Sequence, residues 1–178
     1  LLEAHNRVNE FILLLDSEEI KGAKQNRVLN TSILLPRRKR TTIPVSCTES
    51  GRWAYASADF QPSGNMMPKA ARTHKMRSVT TTIATVAAEC AATSAPMPAA
   101  ACCYASDQSE VWHDVADLQA KTHVTSSTSA MNDVHEAMRE KVDRFTNQFD
   151  LQPGQNGVLV LKNGEVMGLD MLSQPEAY

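Results

Sequence analysis

Hydrophobic positions along this chain change period part of the way through, and the change divides a strand-like region from a helical one. Phe11-Ile12-Leu13-Leu14-Leu15 is a continuous apolar run too short for a helix, and it predicts a buried strand. Asp16-Ser17-Glu18-Glu19 has turn chemistry, and Ile20-Lys21-Gly22 predicts a short return. Residues 28–35 predict a second strand with Leu29, Thr31, Ile33 and Leu35 on one face. Residues 41–48 predict a third, with Ile43, Val45 and Cys47 on one face and Pro44 marking an edge or a bulge. Between them residues 36–40 read as a hairpin connection, and residues 53–57 as a fourth strand after the turn at Ser50-Gly51.

Helical spacing then takes over. Residues 68–89 predict a helix, although the β-branched run Val79-Thr80-Thr81-Thr82-Ile83 opposes it. Residues 91–105, rich in Ala, Ser and Pro, read as a flexible loop. Asp107, with Glu110 three residues later, marks a helix start, and Val111, Val115 and Leu118 form the stripe that follows. Met131, Val134, Met138, Val142, Phe145 and Phe149 recur at three- and four-residue steps, which predicts an amphipathic helix over residues 130–149. At the far end Asn163-Gly164 sits between apolar runs. Both residues accept positive φ, so the segment predicts a type I′ β-hairpin pairing residues 159–161 with 166–168. The elements together predict an α+β domain: an antiparallel β layer, packed helices and a C-terminal hairpin.

Composition narrows the class without naming a function. The 178 residues, 42% hydrophobic and 21% charged, suit one domain with a sizeable core. No apolar run is long enough for a membrane helix, so no membrane role is expected. The net charge of −2 argues against a nucleic-acid partner. It is unevenly spread, +5 over residues 1–104 and −7 over residues 105–178. Cys47, Cys90, Cys102 and Cys103 match no zinc spacing, and unpatterned thiols point to a reducing cytoplasm. The five histidines are not spaced as a helical metal pair, so no metal site is expected; the cofactor, if there is one, is not specified. The first residue is Leu, and Ser173-Gln174-Pro175-Glu176 reads as a helix start, so the expectation is a domain cut at both ends.

Three strings carry a resemblance. They are residues 16–27 (Asp-Ser-Glu-Glu-Ile-Lys-Gly-Ala-Lys-Gln-Asn-Arg), residues 43–53 (Ile-Pro-Val-Ser-Cys-Thr-Glu-Ser-Gly-Arg-Trp) and residues 107–112 (Asp-Gln-Ser-Glu-Val-Trp); the segment from Gly164 to Ala177 is also similar. With these the chain resembles the ARG and rhodanese-phosphatase-superfamily-associated protein domain, ARG denoting ADP-ribosylglycohydrolase. The likeness covers most of the chain outside residues 58–105. It departs at Ser17, where the family usually has Gly, and in the Ala-rich stretch before Asp107. The resemblance implies an α+β domain of unknown function that belongs to a predicted enzyme class. It points to a candidate site and to no particular reaction.

Each candidate residue has a chemical and a structural reading. Glu18 and Glu19 supply either a general acid/base or two solvated turn carboxylates; only one of the pair can face inward on an extended chain, and the resemblance favours Glu18. Gln25, Asn26 and Arg27 supply either a fork for phosphate or carboxylate with amides beside it, or a network that satisfies loop backbone. Glu49 and Arg52 either complete that cluster or form a local ion pair beside a core Trp53. Gln108 and Trp112 stand one turn apart at a helix N-terminus, which is either an anion seat or a capped helix with a core Trp. Cys47 reads as a small core residue, and the basic run at residues 37–40 as a solvated, edge-protecting cluster. The functional expectation is an enzyme acting on a small anionic, nucleotide-derived ligand. In it Glu18 is catalytic, Arg27 and Arg52 clamp the anion, and Glu18, Arg27, Glu49, Arg52 and Gln108 converge on one concave surface. The alternatives are a non-catalytic ligand-binding or regulatory module and an inactive fragment. The oligomeric state is left open.

Overall fold

The computed structural model describes residues 1–99 and 103–173. The chain is α+β, with antiparallel strands, helices and a C-terminal hairpin. Its contacts divide it into two compact units, Leu1–Ala137 and Met138–Tyr178.

The first unit is built on a four-stranded sheet of order β7-β4-β3-β8. Its members are β3 (Glu18–Gly22), β4 (Arg27–Leu29), β7 (Val45–Cys47) and β8 (Phe60–Met66). Two smaller antiparallel pairs join β1 (Leu2–His5) to β6 (Arg40–Ile43), and β2 (Ile12–Leu14) to β5 (Ile33–Leu35). The stretch 28–35 is thus two strands parted at residues 30–32. The stretch 41–48 is likewise two, parted at Pro44, which has no N–H to give a ladder. Residues 36–40 do not close a hairpin, because β5 pairs with β2 and β6 with β1. Residues 53–57 are loop, and the eighth strand lies just beyond them, where Pro62 and Gly64 hide it from propensity.

Helix α1 spans Lys69–Thr93. Its threonines tolerate the helix because their hydroxyls donate back one turn, Thr80 to Met76 O (2.8 Å), Thr81 to Arg77 O (3.0 Å) and Thr82 to Ser78 O (3.0 Å). Only Ala71, Lys75 and Val79 are buried, at successive four-residue steps. Lys75 is fully buried, pairs with Asp16, and donates to Leu29 O at 2.8 Å, which pins the helix to the strands. Burial pushes the Lys75 ammonium below its usual range, and Asp16 opposes that shift. The loop expected at residues 91–105 begins later than expected, since Ala91, Ala92 and Thr93 close α1; residues 100–102 lie outside the described residues.

Helix α2 spans Gln108–Thr122. Asp107 caps it, accepting from the N–H groups of Ser109 (2.8 Å) and Glu110 (3.2 Å). Helix α3 spans Met131–Thr146. One core cluster joins Val28, Met67, Ala71, Val111, Val115 and Met131; a second joins Leu29, Leu35 and Ile43. No helix among the described residues is long and apolar enough to cross a membrane.

The second unit contains the hairpin of β9 (Gly157–Lys162) and β10 (Glu165–Met171). Lys162 pairs with Glu165, so the turn is Asn163-Gly164 alone, with φ of 52° and 83°. Both angles belong to a type I′ turn. Leu161 pairs with Val166 and Leu159 with Leu169, and a bulge falls between Val166 and Gly168.

Candidate functional site

Two of the strings that carry the resemblance, residues 16–27 and 43–53, meet in a buried polar network around Arg52. Its Nε donates to Glu49 Oε1 (2.9 Å) and its Nη2 to Glu49 Oε2 (2.7 Å), a fork on a nearly buried carboxylate. Nη1 donates to Ala23 O (2.6 Å) and Ala54 O (3.1 Å), and Nη2 also to Asn26 Oδ1 (3.1 Å). A guanidinium has five N–H groups, and here each is directed at the chain itself. Glu49 Oε2 in turn accepts from Asn26 N–H (3.1 Å), and Asn26 Oδ1 accepts from Gly22 N–H (3.2 Å). Burial works against the Glu49 charge, but Arg52, Thr128 and the Asn26 N–H outweigh it and hold Glu49 below the usual carboxylate range. The network thereby ties the β3–β4 turn to the segment that follows β7.

Gly22 is the tight point of that turn. Its φ is +137°, and a Cβ there would meet Asp59 O and Ser57 Oγ at 2.5 Å. Only glycine lets the chain approach so closely.

Beside this network lies an open pocket of about 320 Å³ whose wall includes Lys21, Asn26, Glu49, Arg52, Gln61 and Asp133. Ala56 and Ser57, also in the wall, belong to the loop after Arg52. Arg52 fixes that loop through Ala54 O, and Ala56 N–H donates to Ala23 O at 2.9 Å. Trp53 and Tyr55 on the same loop are each 70% exposed, and Lys24 stands 5.2 Å from the Tyr55 ring centre. Trp53 is therefore a surface residue, not the core Trp its position after Arg52 suggests.

The remaining predicted residues stand elsewhere. Glu18 is half-buried and accepts from Leu15 N–H at 3.1 Å. Its neighbour Glu19 is the inward member of the pair, 1% exposed. The reason is register: Glu19 stands opposite the fully buried Val28 in the β3–β4 ladder, and residues paired across an antiparallel ladder share a face. Thr48 donates to Glu19 Oε1 (2.9 Å), while Oε2 is buried without a hydrogen-bond partner. Burial raises this carboxyl to about 7, against the tempering effect of Thr48, Ser63 and Asn65 and with a small addition from Glu49.

Gln25 is buried and accepts from Arg27 Nη1 at 3.1 Å, and its Nε2 lacks a partner. Arg27 lies beside Cys47 across the β4–β7 ladder. Burial pushes the Cys47 thiol up, with Arg27 acting in the opposite sense, so this is not an activated nucleophile. Gln108 bonds to the edge strand: Cys47 N–H donates to its Oε1 (2.7 Å) and its Nε2 donates to Cys47 O (2.8 Å). Trp112 is half-buried with its indole N–H unpartnered. Of the expected site, then, Asn26, Glu49 and Arg52 share the pocket wall. Glu18, Gln25, Arg27, Gln108 and Trp112 are outside its lining. Lys21, Gln61 and Asp133 were not singled out by sequence reasoning, since a lone polar residue in a strand or helix carries no signal of its own.

No group of three or more His, Cys, Asp or Glu side chains able to hold a metal occurs among the described residues. A family model, the ARG and Rhodanese-Phosphatase-superfamily-associated Protein domain, matches residues 1–178. No curated protein and no solved structure matches the chain.

Proposed function

We propose, for a chain that belongs to the ARG and Rhodanese-Phosphatase-superfamily-associated Protein domain family, that the pocket beside Arg52 binds a small anionic, nucleotide-derived ligand. The observation that carries this reading is the loop after Arg52. It forms part of the pocket wall and bears two aromatic residues in solvent, Trp53 and Tyr55. Exposed aromatic faces stack on a base, and Lys21 and Gln61 in the wall offer an ammonium and an amide to phosphate or ribose. Arg52 and Glu49 serve the pocket as its frame. Their charges cancel and their hydrogen-bonding groups are engaged within the chain, so the positive charge left for a ligand is that of Lys21.

A catalytic use of the pocket is the second reading. The observation favouring it is Asp133, a wall carboxylate outside the Arg52 pair that Ser126 Oγ holds at 2.6 Å. Glu18, committed to Leu15 N–H, is less suited to touch a ligand there.

Titration with a nucleoside diphosphate, the nucleoside alone and inorganic phosphate, followed by Trp fluorescence, tests the binding reading. The diphosphate is expected to bind tightest and to change Trp53 emission, and Lys21→Ala to weaken it about two- to fivefold, as loss of an exposed ion pair does. Equal affinities for Lys21→Ala and the parent chain would refute the assignment. Product formation lost in Asp133→Asn, with binding kept, would separate the enzyme from the non-catalytic module.

A further inference from the structure

Beneath the pocket frame lies a second buried glutamate that the binding reading does not use. Glu19 projects from β3 toward Thr48, the residue just before Glu49. Thr48 is a junction. Its N–H donates to Asn26 O (3.0 Å), its carbonyl accepts from Met131 N–H (2.9 Å), and its hydroxyl holds Glu19. Among the described residues no cation acts on Glu19. The turn after β7 brings Glu49, whose charge is matched by Arg52. Strand β8 brings Ser63 and Asn65, and β4 brings Val28 opposite. The first turn of α3 brings Asn132, which accepts from Asn65 Nδ2 at 3.3 Å. On β3 itself Glu18 is engaged by Leu15 N–H, and Lys21 lines the pocket.

From this geometry we propose that Glu19 is a proton-operated latch under the pocket: neutral, it locks Thr48 and the Arg52 frame in place; ionised, it loosens them. The neutral acid turns its unpartnered Oε2 into a donor, for which the Ser63 and Asn65 side-chain oxygens are the available acceptors. The ionised form is a carboxylate 1% exposed with the Glu49 carboxylate nearby; Thr48, Ser63 and Asn65 offset only part of the cost of burying that charge, so ionisation favours opening of the surrounding chain to water. With its carboxyl raised to about 7 in the fold from an ordinary 4.5, Glu19 gives its full stabilisation below about pH 4.5. That contribution is lost as pH rises through about 7. The consequence for a ligand rests on the binding reading above: affinity at the pocket falls as Glu19 ionises.

The test needs no ligand, so its outcome is independent of that reading. Urea unfolding of the chain at pH 5 and pH 7 is expected to show the unfolding equilibrium rising about tenfold or more with pH. Glu19→Gln, which is neutral at both, should lose that rise. Amide exchange of Asn26, Thr48 and Met131, corrected for its intrinsic pH dependence, should accelerate over the same interval in the parent chain only. Because Glu19→Gln can fail to fold, side-chain carboxyl NMR of the parent chain supplies a second readout. A Glu19 titration well above the other glutamates supports the latch; one within the ordinary range overturns it, as does an unchanged pH slope in Glu19→Gln.

Discussion

The Arg52 network and the C-terminal hairpin invert the usual arrangement in opposite ways. In the first, charged and amide side chains lie inside: Asn26 and Glu49 are buried and Arg52 nearly so. In the second, apolar side chains lie outside: Leu159, Leu161, Val166 and Leu169 are all exposed. The first is held by hydrogen bonds that close on one another, and each member is costly to remove because its partners are left buried and unpaired. The second is held by a turn, a ladder and exposed cross-strand pairs such as Leu159–Leu169 and Leu161–Val166, each worth about 0.2–1 kcal/mol. Hydropathy alone would have ranked the two regions the other way.

Three substitutions probe that contrast. Arg52→Met is expected to cost the most, about 3–5 kcal/mol, because it strands the Glu49 charge. Urea unfolding measures it, and adding Glu49→Leu should return part of the loss; a cost below about 1 kcal/mol would mean that the frame is a solvated surface pair. Gly22→Ala should come next, at about 1–3 kcal/mol, from the strained φ and the contact with Asp59 O. A neutral result would show that the turn relaxes freely. Leu159→Lys should be the mildest, within about 0.5 kcal/mol in the same assay, as for other exposed positions. A larger loss would show that the hairpin face is covered in solution, and the contrast with the Arg52 network would narrow.

What could be read from the residues follows the range of the forces involved. The hairpin was legible because Asn163-Gly164 specifies it locally, and α2 because Asp107 caps it. The α+β class and the family followed from similar local signals. Strand pairing was not legible. Residues 36–40 look like a hairpin connection, yet the strands they join find partners nineteen or more residues away. The eighth strand was missed because Phe60–Met66 contains Pro62 and Gly64, which an edge strand with a bulge tolerates and a central one does not. The pairing of Glu19 with the buried Val28 decides that Glu19, not Glu18, faces inward, and no pattern within residues 16–22 announces it. The Gln-Asn-Arg and Glu-x-x-Arg strings were conspicuous for their chemistry, but most of that chemistry is directed at the chain itself.

The double hydrogen bond from Gln108 to Cys47 has an effect beyond its own two contacts. Strand β7 ends the sheet on one side, and at Cys47 its outward N–H and C=O are taken by one primary amide, which presents the same donor and acceptor as a peptide group. A single side chain thus imitates the next strand and stops the sheet from growing. That amide is sixty-one positions further along the chain, so a nascent or partly folded molecule exposes the bare edge until α2 has docked. An exposed edge is a template for other chains. Docking of one helix therefore also closes the edge against self-association.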